Sequence, residues 1–190
     1  ASLELEALVS GKASFFGGGT ISLAGSVPLE GIGLGNADLL VFGAVERLKL
    51  EGSIQFSGDA GSSKRVVLMS GGELEADKGL TIDAATNDLV LSVRRDILLE
   101  GSTAELPVVL RGGREVAVHS LRDMNLVNSE VSASSLASLK AAKNLYVDGL
   151  RFNQDLTNIV MEATTIRLMN VDFPANAIVS LNSLKGPIDG

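Results

Sequence analysis

The chain has 190 residues, of which 45% are hydrophobic but only 4% aromatic, and its formal net charge is −7. Its Lys and Arg residues form no dense cluster, which argues against binding to nucleic acid or to an anionic membrane surface. The absence of cysteine excludes disulfide bonds and thiolate metal sites.

The length and the ends of the sequence bear on domain organisation. A chain of this size is long enough to bury one continuous core. Its longest apolar run, residues 37–45, is too short to span a bilayer, so we expect no membrane insertion. It begins Ala-Ser-Leu, without an initiator methionine or an apolar leader. We therefore expect residues 1–190 to form a single domain that is a fragment of a longer protein.

A strand–turn–strand motif recurs along the chain. Its first two copies are residues 21–29 and 48–56, in which Leu48 follows Ile21 by 27 residues. The later copies, at intervals down to 21 residues, are residues 74–82, 97–104, 124–131, 145–152 and 166–173. In each copy two apolar residues alternate with outward ones, a tight turn follows, and a second alternating pair completes the motif. Alternation with a period of two indicates short strands rather than helices.

The tight turn has its own signature. In the four later copies its second residue is Gly101, Asn128, Gly149 or Asn170. Glycine and asparagine adopt a left-handed backbone at the least cost. We therefore predict one turn geometry, repeated along an axis.

A third apolar strand precedes each motif. Its equivalent positions are Phe15, Phe42, Leu68, Leu91, Val118, Leu139 and Val160, and Leu181 begins another. Three short strands per coil, with no helical segment between them, predict an all-β fold: a right-handed parallel β-helix of about seven coils. A β-sandwich or barrel is the alternative, since Asp148-Gly149 is a pair typical of hairpin turns. That alternative does not explain apolar residues matched across seven copies.

Stacked coils place equivalent side chains in columns. Leu126, Val147 and Leu168 are expected in one buried column, in which each aliphatic side chain contributes roughly 1.5–3 kcal/mol. Loops of variable length are where a binding function would lie. The larger predicted loops are residues 30–38, 58–64 and 105–113.

One outward column contains candidates for acid–base chemistry. Glu130 and Asp172 flank Arg151, and a strand spacing of about 4.8 Å places the two carboxylates roughly 9–10 Å apart. That separation suits an inverting glycosidase, but the intervening guanidinium would neutralise the pair. Asp148 and the run at residues 94–96 are further candidates. We predict that the chain has no catalytic residues, with Glu130, Arg151 and Asp172 as the residues to examine.

Other signatures of binding sites are sparse. Tyr146 is the one aromatic residue expected to be exposed as a platform for a sugar ring. His119 has no second histidine with which to share a metal ion, and we expect it near a strand end. Calcium-binding nonapeptides, a P-loop and a dinucleotide fingerprint are missing from the sequence. We therefore predict no cofactor and no metal site.

The strand–turn–strand copies, with turns such as Asp148-Gly149 and Met169-Asn170, resemble the β-helical shafts of filamentous-haemagglutinin-like exoproteins and autotransporter passengers. The stretch at residues 170–181 also resembles coils of large exported repeat proteins of environmental bacteria. The resemblance implies an extracellular or surface-displayed bacterial scaffold, with a role in adhesion, and it transfers no functional residues.

These observations lead to three hypotheses. The first is a non-catalytic, secreted or cell-surface segment with a structural or adhesin-like role and a surface polysaccharide or host cell-surface ligand as its partner. The second is a carbohydrate-active β-helix, either a polysaccharide lyase or a hydrolase. The third is an extracellular filament subunit that self-associates through the open ends of its coils.

Overall fold

The computed structural model describes residues 12–17, 20–28, 39–57 and 65–184. Over these residues the secondary structure consists of strands without a helix, and every strand pair is parallel. The strands form a β-solenoid of about six turns, which confirms the predicted architecture and is close to the predicted seven coils. The right-handed sense of the coil stays a prediction, supported by the strong preference of crossovers between parallel strands for that hand.

The described strands are numbered in chain order. They are β1 (Lys12–Gly17), β2 (Thr20–Pro28), β3 (Leu39–Ala44), β4 (Arg47–Ser57), β5 (Arg65–Ser70), β6 (Glu73–Ala76), β7 (Thr81–Asp83), β8 (Asp88–Val93), β9 (Ile97–Glu100), β10 (Val108–Arg111), β11 (Glu115–Ser120), β12 (Met124–Ser132), β13 (Leu136–Ala141), β14 (Asn144–Phe152), β15 (Asn158–Ala163), β16 (Thr165–Met169) and β17 (Ile178–Ser183).

The first sheet contains one strand from each coil, in the order β1-β3-β5-β8-β11-β13-β15-β17. Its register confirms the predicted column from Phe15 through Val118 to Leu139. The next position in the column is Met161 rather than Val160, since Met161 is the partner of both Leu139 and Leu181. The interval at this step is thus 22 residues, one more than the sequence repeat predicted. Met161 is buried and Val160 is half-buried, as this register requires.

The second sheet contains the motif strands. Its order is β16-β14-β12-β10-β7-β4-β2, with β6 paired to β4 and β9 paired to β12. The longer strands, such as β12 and β14, run through the tight turn and therefore occupy two of the three strand positions in a coil. Leu126 pairs with Leu99 on one side and with Val147 on the other, and Val147 pairs with Leu168. The predicted column of apolar residues is therefore confirmed.

For the fourth copy of the motif, residues 97–104, the structure confirms the predicted alignment of the first strand but not that of the second. Its first strand, β9, pairs as predicted, but Ala104 does not align with Val131. The partner of Val131 is Leu110, on β10. Residues 101–107 form a loop between the two strands, so the loop predicted at residues 105–113 lies earlier in the chain and β10 occupies much of that range. The predicted loops at residues 30–38 and 58–64 lie outside the described residues.

The core is a continuous filling of aliphatic side chains between the sheets. In the described coils the inward residues are almost completely buried, and Leu50, Leu91, Leu126 and Ile166 each have 0% exposure. The core also contains aromatic pairs: the rings of Phe42 and Phe56 lie 6.0 Å apart between centroids, and those of Phe152 and Phe173 stack at 5.8 Å. The low aromatic content therefore matches a core filled mainly by aliphatic side chains.

The tight turns largely follow the prediction. Asn128, Gly149 and Asn170 have φ values of 47°, 70° and 50°, which lie in the left-handed region. Gly101 was predicted to share this conformation, but it is not among the residues with positive φ. An added Cβ there would overlap the carbonyl oxygen of Asn128 and lie 2.8 Å from the Cα of Pro107. Glycine is thus required at 101 for close packing between coils rather than for backbone conformation.

Polar side chains at the corners satisfy backbone groups of neighbouring coils. The Asp96 carboxylate accepts the N–H of Asp123 at 3.1 Å, and the Asp123 carboxylate accepts the N–H of Asn144 at 3.1 Å. The hydroxyl of buried Ser120 donates to the Arg95 carbonyl at 2.8 Å and accepts the N–H of Arg122 at 3.0 Å. The Ser120 bonds matter most, because an unpaired buried polar group costs roughly 1–3 kcal/mol, whereas the two aspartate bonds are exposed.

We expect the substitution Leu126→Ala to lower the free energy of unfolding by about 2–5 kcal/mol, because it leaves a cavity between Leu99 and Val147. The matched control is Asn125→Ala, one residue earlier on the outer face, which should change stability by less than about 1 kcal/mol. Chemical denaturation followed by circular dichroism measures both. Equal losses would contradict the assignment of inner and outer faces.

Two glycine substitutions separate the two roles of glycine. Gly52→Ala meets no atom within 4 Å but has a φ of 60°, so we expect a loss of about 1–2 kcal/mol from backbone strain alone. Gly101→Ala meets backbone atoms, which have little room to move, so its loss should be larger. Thermal unfolding of the two variants provides the comparison. A milder effect at position 101 than at position 52 would disprove the close-packing explanation.

Candidate functional site

The three candidate residues lie in one column on the outer side of the motif's second strand, after the tight turn. Glu130 on β12 is the register partner of Arg151 on β14, and Arg151 forms a parallel bridge with Asp172. The structure therefore brings all three together on successive coils, as the sequence predicted. With an interstrand spacing of about 4.8 Å, the two acidic residues are separated by two steps of the stack.

Two of these side chains bind partners outside the column. The Glu130 carboxylate forms an ion pair with Arg111 at 3.8 Å, and Arg111 lies on the preceding coil, in β10. The Arg151 guanidinium donates a hydrogen bond to the backbone carbonyl of Ala104. Arg151 therefore fixes a loop, while Glu130 is held by a different arginine. This arrangement suits a structural role better than acid–base catalysis, which requires an acid and a base directed at one bond.

The loop at residues 101–107 has internal order that the sequence did not reveal. The Ser102 N–H donates to the Leu106 carbonyl at 2.9 Å, and the Thr103 hydroxyl accepts the N–H groups of Glu105 and Leu106 at 3.2 Å. Leu106 is nevertheless 63% exposed. The loop thus presents an apolar side chain on a compact turn that Arg151 anchors from two coils away.

Three of the other charged candidates also have side-chain partners. Arg95 binds Glu73 at 3.0 Å, and Asp96 binds Arg122 at 3.4 Å. Asp148 accepts a hydrogen bond from the amide of Asn170 at 2.8 Å, within the stack of tight turns. These contacts join neighbouring coils, so the three side chains have a structural explanation.

A corner cavity of about 470 Å³ was not anticipated from the sequence. It is lined by Val45, Glu46, Arg47, Gly71, Gly72, Glu73 and Arg95. The Glu73 carboxylate lies between Arg47, at 3.3 Å, and Arg95, at 3.0 Å. All three side chains are about half exposed, and such pairs are usually worth less than about 1 kcal/mol. Two acidic and two basic side chains line the cavity, so it carries no formal net charge that would attract an ion.

The most deeply buried carboxylate was also not anticipated. Asp88 has a side chain with 6% exposure and accepts the N–H groups of Arg114 and Glu115 at 3.1 and 3.0 Å. Above it, Arg65 and Glu115 form an ion pair at 3.0 Å that joins the coils on either side of the Asp88 coil. Asp88 therefore caps the start of β11 and serves the stack rather than a ligand.

Tyr146 is less available for a sugar than the sequence suggested. Its side chain is half-buried, the Arg167 guanidinium carbon lies 5.8 Å from the ring centroid, and its hydroxyl is 3.4 Å from the Asp148 carboxylate. One face of the ring thus already has a cationic neighbour.

His119 lies one residue before the end of β11, on the outer face, as expected from the sequence. Its Nε2 atom is buried and has no hydrogen-bond partner. Burial lowers the pKa of His119 below its ordinary value of 6.5, and the positive charge of Lys140 lowers it further. The carboxylates of Glu115 and Glu162 act in the opposite direction and offset part of this effect.

Neither metal ligation nor a membrane span is found in the part of the chain that the structure describes. No group of three or more His, Asp or Glu side chains there is arranged to hold a metal ion. No helix there is long and apolar enough to cross a membrane. Comparisons with protein-family models, with curated proteins and with solved structures found no match to this chain.

The lowered pKa of His119 predicts a dependence of stability on pH. Protonation favours the unfolded chain, so the full stability is present above pH 6.5 and is lost as the pH falls towards the folded-state pKa. We expect His119→Gln, which does not titrate, to lose less stability than the wild type between pH 7.5 and pH 5. Urea denaturation at several pH values measures the difference, and parallel curves for the two proteins would contradict the prediction.

Proposed function

We propose that the chain is a non-catalytic segment of a secreted or cell-surface bacterial protein, in which it serves as a structural or adhesin-like scaffold. The observation that carries this proposal is the column of Glu130, Arg151 and Asp172. It is the best candidate for chemistry in the sequence, yet Arg111 and the Ala104 carbonyl engage two of its members. A stack whose outward charges join its own coils suits a rigid support.

The outer surface offers features that suit adhesion. Three leucine side chains are largely exposed. They are Leu98 on the outer face of β9 (55%), Leu106 on the loop (63%) and Leu121 at a corner (64%). They project from a rigid frame whose buried core does not depend on them. Loops and outer faces on such a frame are common places for binding functions. The expected ligand is a surface polysaccharide or another cell-surface molecule.

A carbohydrate-active enzyme remains the alternative hypothesis. It requires an acid and a base that converge on one glycosidic bond, or a basic residue beside calcium-binding acids. Glu130 and Asp172 satisfy the requirement for spacing along the stack, but Arg151 lies between them. The enzyme hypothesis would use Arg151 as a base or leave it to neutralise the acids. The proposal of a scaffold is favoured because Arg151 already donates to the Ala104 carbonyl and Glu130 is paired with Arg111.

We predict that the purified chain releases no product from acidic polysaccharides such as polygalacturonate and alginate. Reducing ends and unsaturated sugars are assayed in parallel, with an active lyase as the positive control. The variants Glu130→Gln and Arg151→Ala should give the same background as the wild type. Turnover by the wild type that either substitution abolishes would refute the scaffold hypothesis.

The same polysaccharides can test adhesion without chemistry. Affinity electrophoresis detects retardation of the intact chain by an embedded glycan. We expect Leu106→Ser, on the loop, to reduce any retardation more than Val109→Ser, at a position with 9% exposure beside the loop. Retardation without turnover would support an adhesive scaffold, whereas no retardation would favour a purely structural role.

A further inference from the structure

The C-terminal end of the described solenoid has an unprotected edge. Strands β17 and β16 are the last strands of the two sheets at this end, and each pairs along only one edge with another described strand. Proteins usually protect such edges with charged residues, proline or bulges. The sequence of β17, Ile-Val-Ser-Leu-Asn-Ser, contains no charged residue and no proline. This strand is therefore suited to accept another parallel strand.

The burial of core positions changes abruptly at this edge. Ile159 is completely buried, whereas its register partner on β17, Val179, is 37% exposed. Met161 is also completely buried, and its partner Leu181 is only partly buried against the core. The inward face of β17 thus presents apolar side chains where every preceding coil has a covering layer. A further coil with the same alternation would bury them.

The opposite end of the same chain has a strand that fits this position. Strand β1 ends the first sheet at the N-terminal side and has six residues, as β17 has. Following the register from strand to strand places Phe15 of β1 and Leu181 of β17 in one column. Ser14 and Ser180 share the adjacent column in the same way. The two ends are therefore equivalent positions of one repeating coil-to-coil interface.

We propose that, in the 190-residue chain on its own, the C-terminal edge is a docking surface for a second copy, whose β1 adds in parallel to β17. The contact would continue the hydrogen-bond ladder and the apolar columns that already join the coils within one copy. Because the two surfaces lie at opposite ends of the molecule, the contact is heterologous and does not close. The resulting assembly is a linear filament one solenoid wide.

The first experiment measures association of the 190-residue chain by sedimentation velocity over a wide range of concentration, with electron microscopy of the product. We expect rods of uniform width that lengthen with concentration. Val179→Lys should lower the association constant at least about tenfold, since stacking would bury an unpaired ammonium group. Ser180→Lys is the matched control, because it adds the same charge to the exposed outer face of the same strand and should preserve the rods.

The interpretation requires that both variants remain folded. Circular dichroism and thermal unfolding at a concentration where the wild type is dissociated should give the same transition for all three proteins. A wild type that stays monomeric throughout would overturn the proposal, and this would also be the outcome if the terminal segments of the chain cover its ends. Equal effects of the two lysine substitutions would overturn the assignment of the interface to the inward face of β17.

A second experiment tests the register between copies. Since the chain has no cysteine, the double variant Ser14→Cys/Ser180→Cys introduces the only thiols. Stacking brings their Cα atoms to about 5 Å, within the range that a disulfide spans. Mild oxidation should therefore give a ladder of covalent multimers on a denaturing gel. In the control Ser14→Cys/Asn182→Cys the residues are about 8 Å apart, so the ladder should be lost. Ladders of equal strength, or none in either variant, would contradict the register.

Discussion

The structure depends on the in-register stacking of one coil on the next. A single coil of three short strands has no backbone partners of its own and cannot bury its apolar face. Stacking supplies both, because parallel strands exchange backbone hydrogen bonds while inward side chains such as Leu99, Leu126 and Val147 cover one another.

The corners show how stacking constrains polar residues as well as apolar ones. At each corner the backbone leaves the sheet, and its N–H groups need partners that the strands do not supply. Asp88, Asp96 and Asp123 accept such N–H groups from the following coil. Asp96 belongs to a run considered for catalysis, yet like the other two it has a structural role. Their function is to satisfy the backbone where the ladder is interrupted.

The sequence predicted the architecture because the stack imposes a local rule, alternation followed by a left-handed turn residue, on every coil. It failed where coils change length independently of that rule. The six residues after Gly101 form a loop that separates β9 from β10, and a residue gained before β15 moves Met161 into the place expected for Val160. Neither change disturbs the alternation of apolar and polar residues within the strands. The two-residue period of the sequence therefore does not reveal either change.

The candidate site was predictable only in part. The column of Glu130, Arg151 and Asp172 follows from the repeat and was placed correctly. The partners of its side chains were not predicted. Arg111 and Ala104 belong to the coil of β9 and β10, whose second strand the sequence repeat aligned wrongly. Long side chains reach across coils, and the period of the backbone carries no information about which neighbour they choose.

Two of those long side chains reach beyond the adjacent coil. Arg65 binds Glu115, and Arg151 binds the Ala104 carbonyl, each across an intervening layer. A solenoid joined only through adjacent layers loses its order one layer at a time from its ends. These two contacts each connect a coil to the second coil along the stack, so three successive coils are joined. They extend the contacts in the middle of the molecule beyond nearest neighbours, so fraying that begins at an end meets added resistance there.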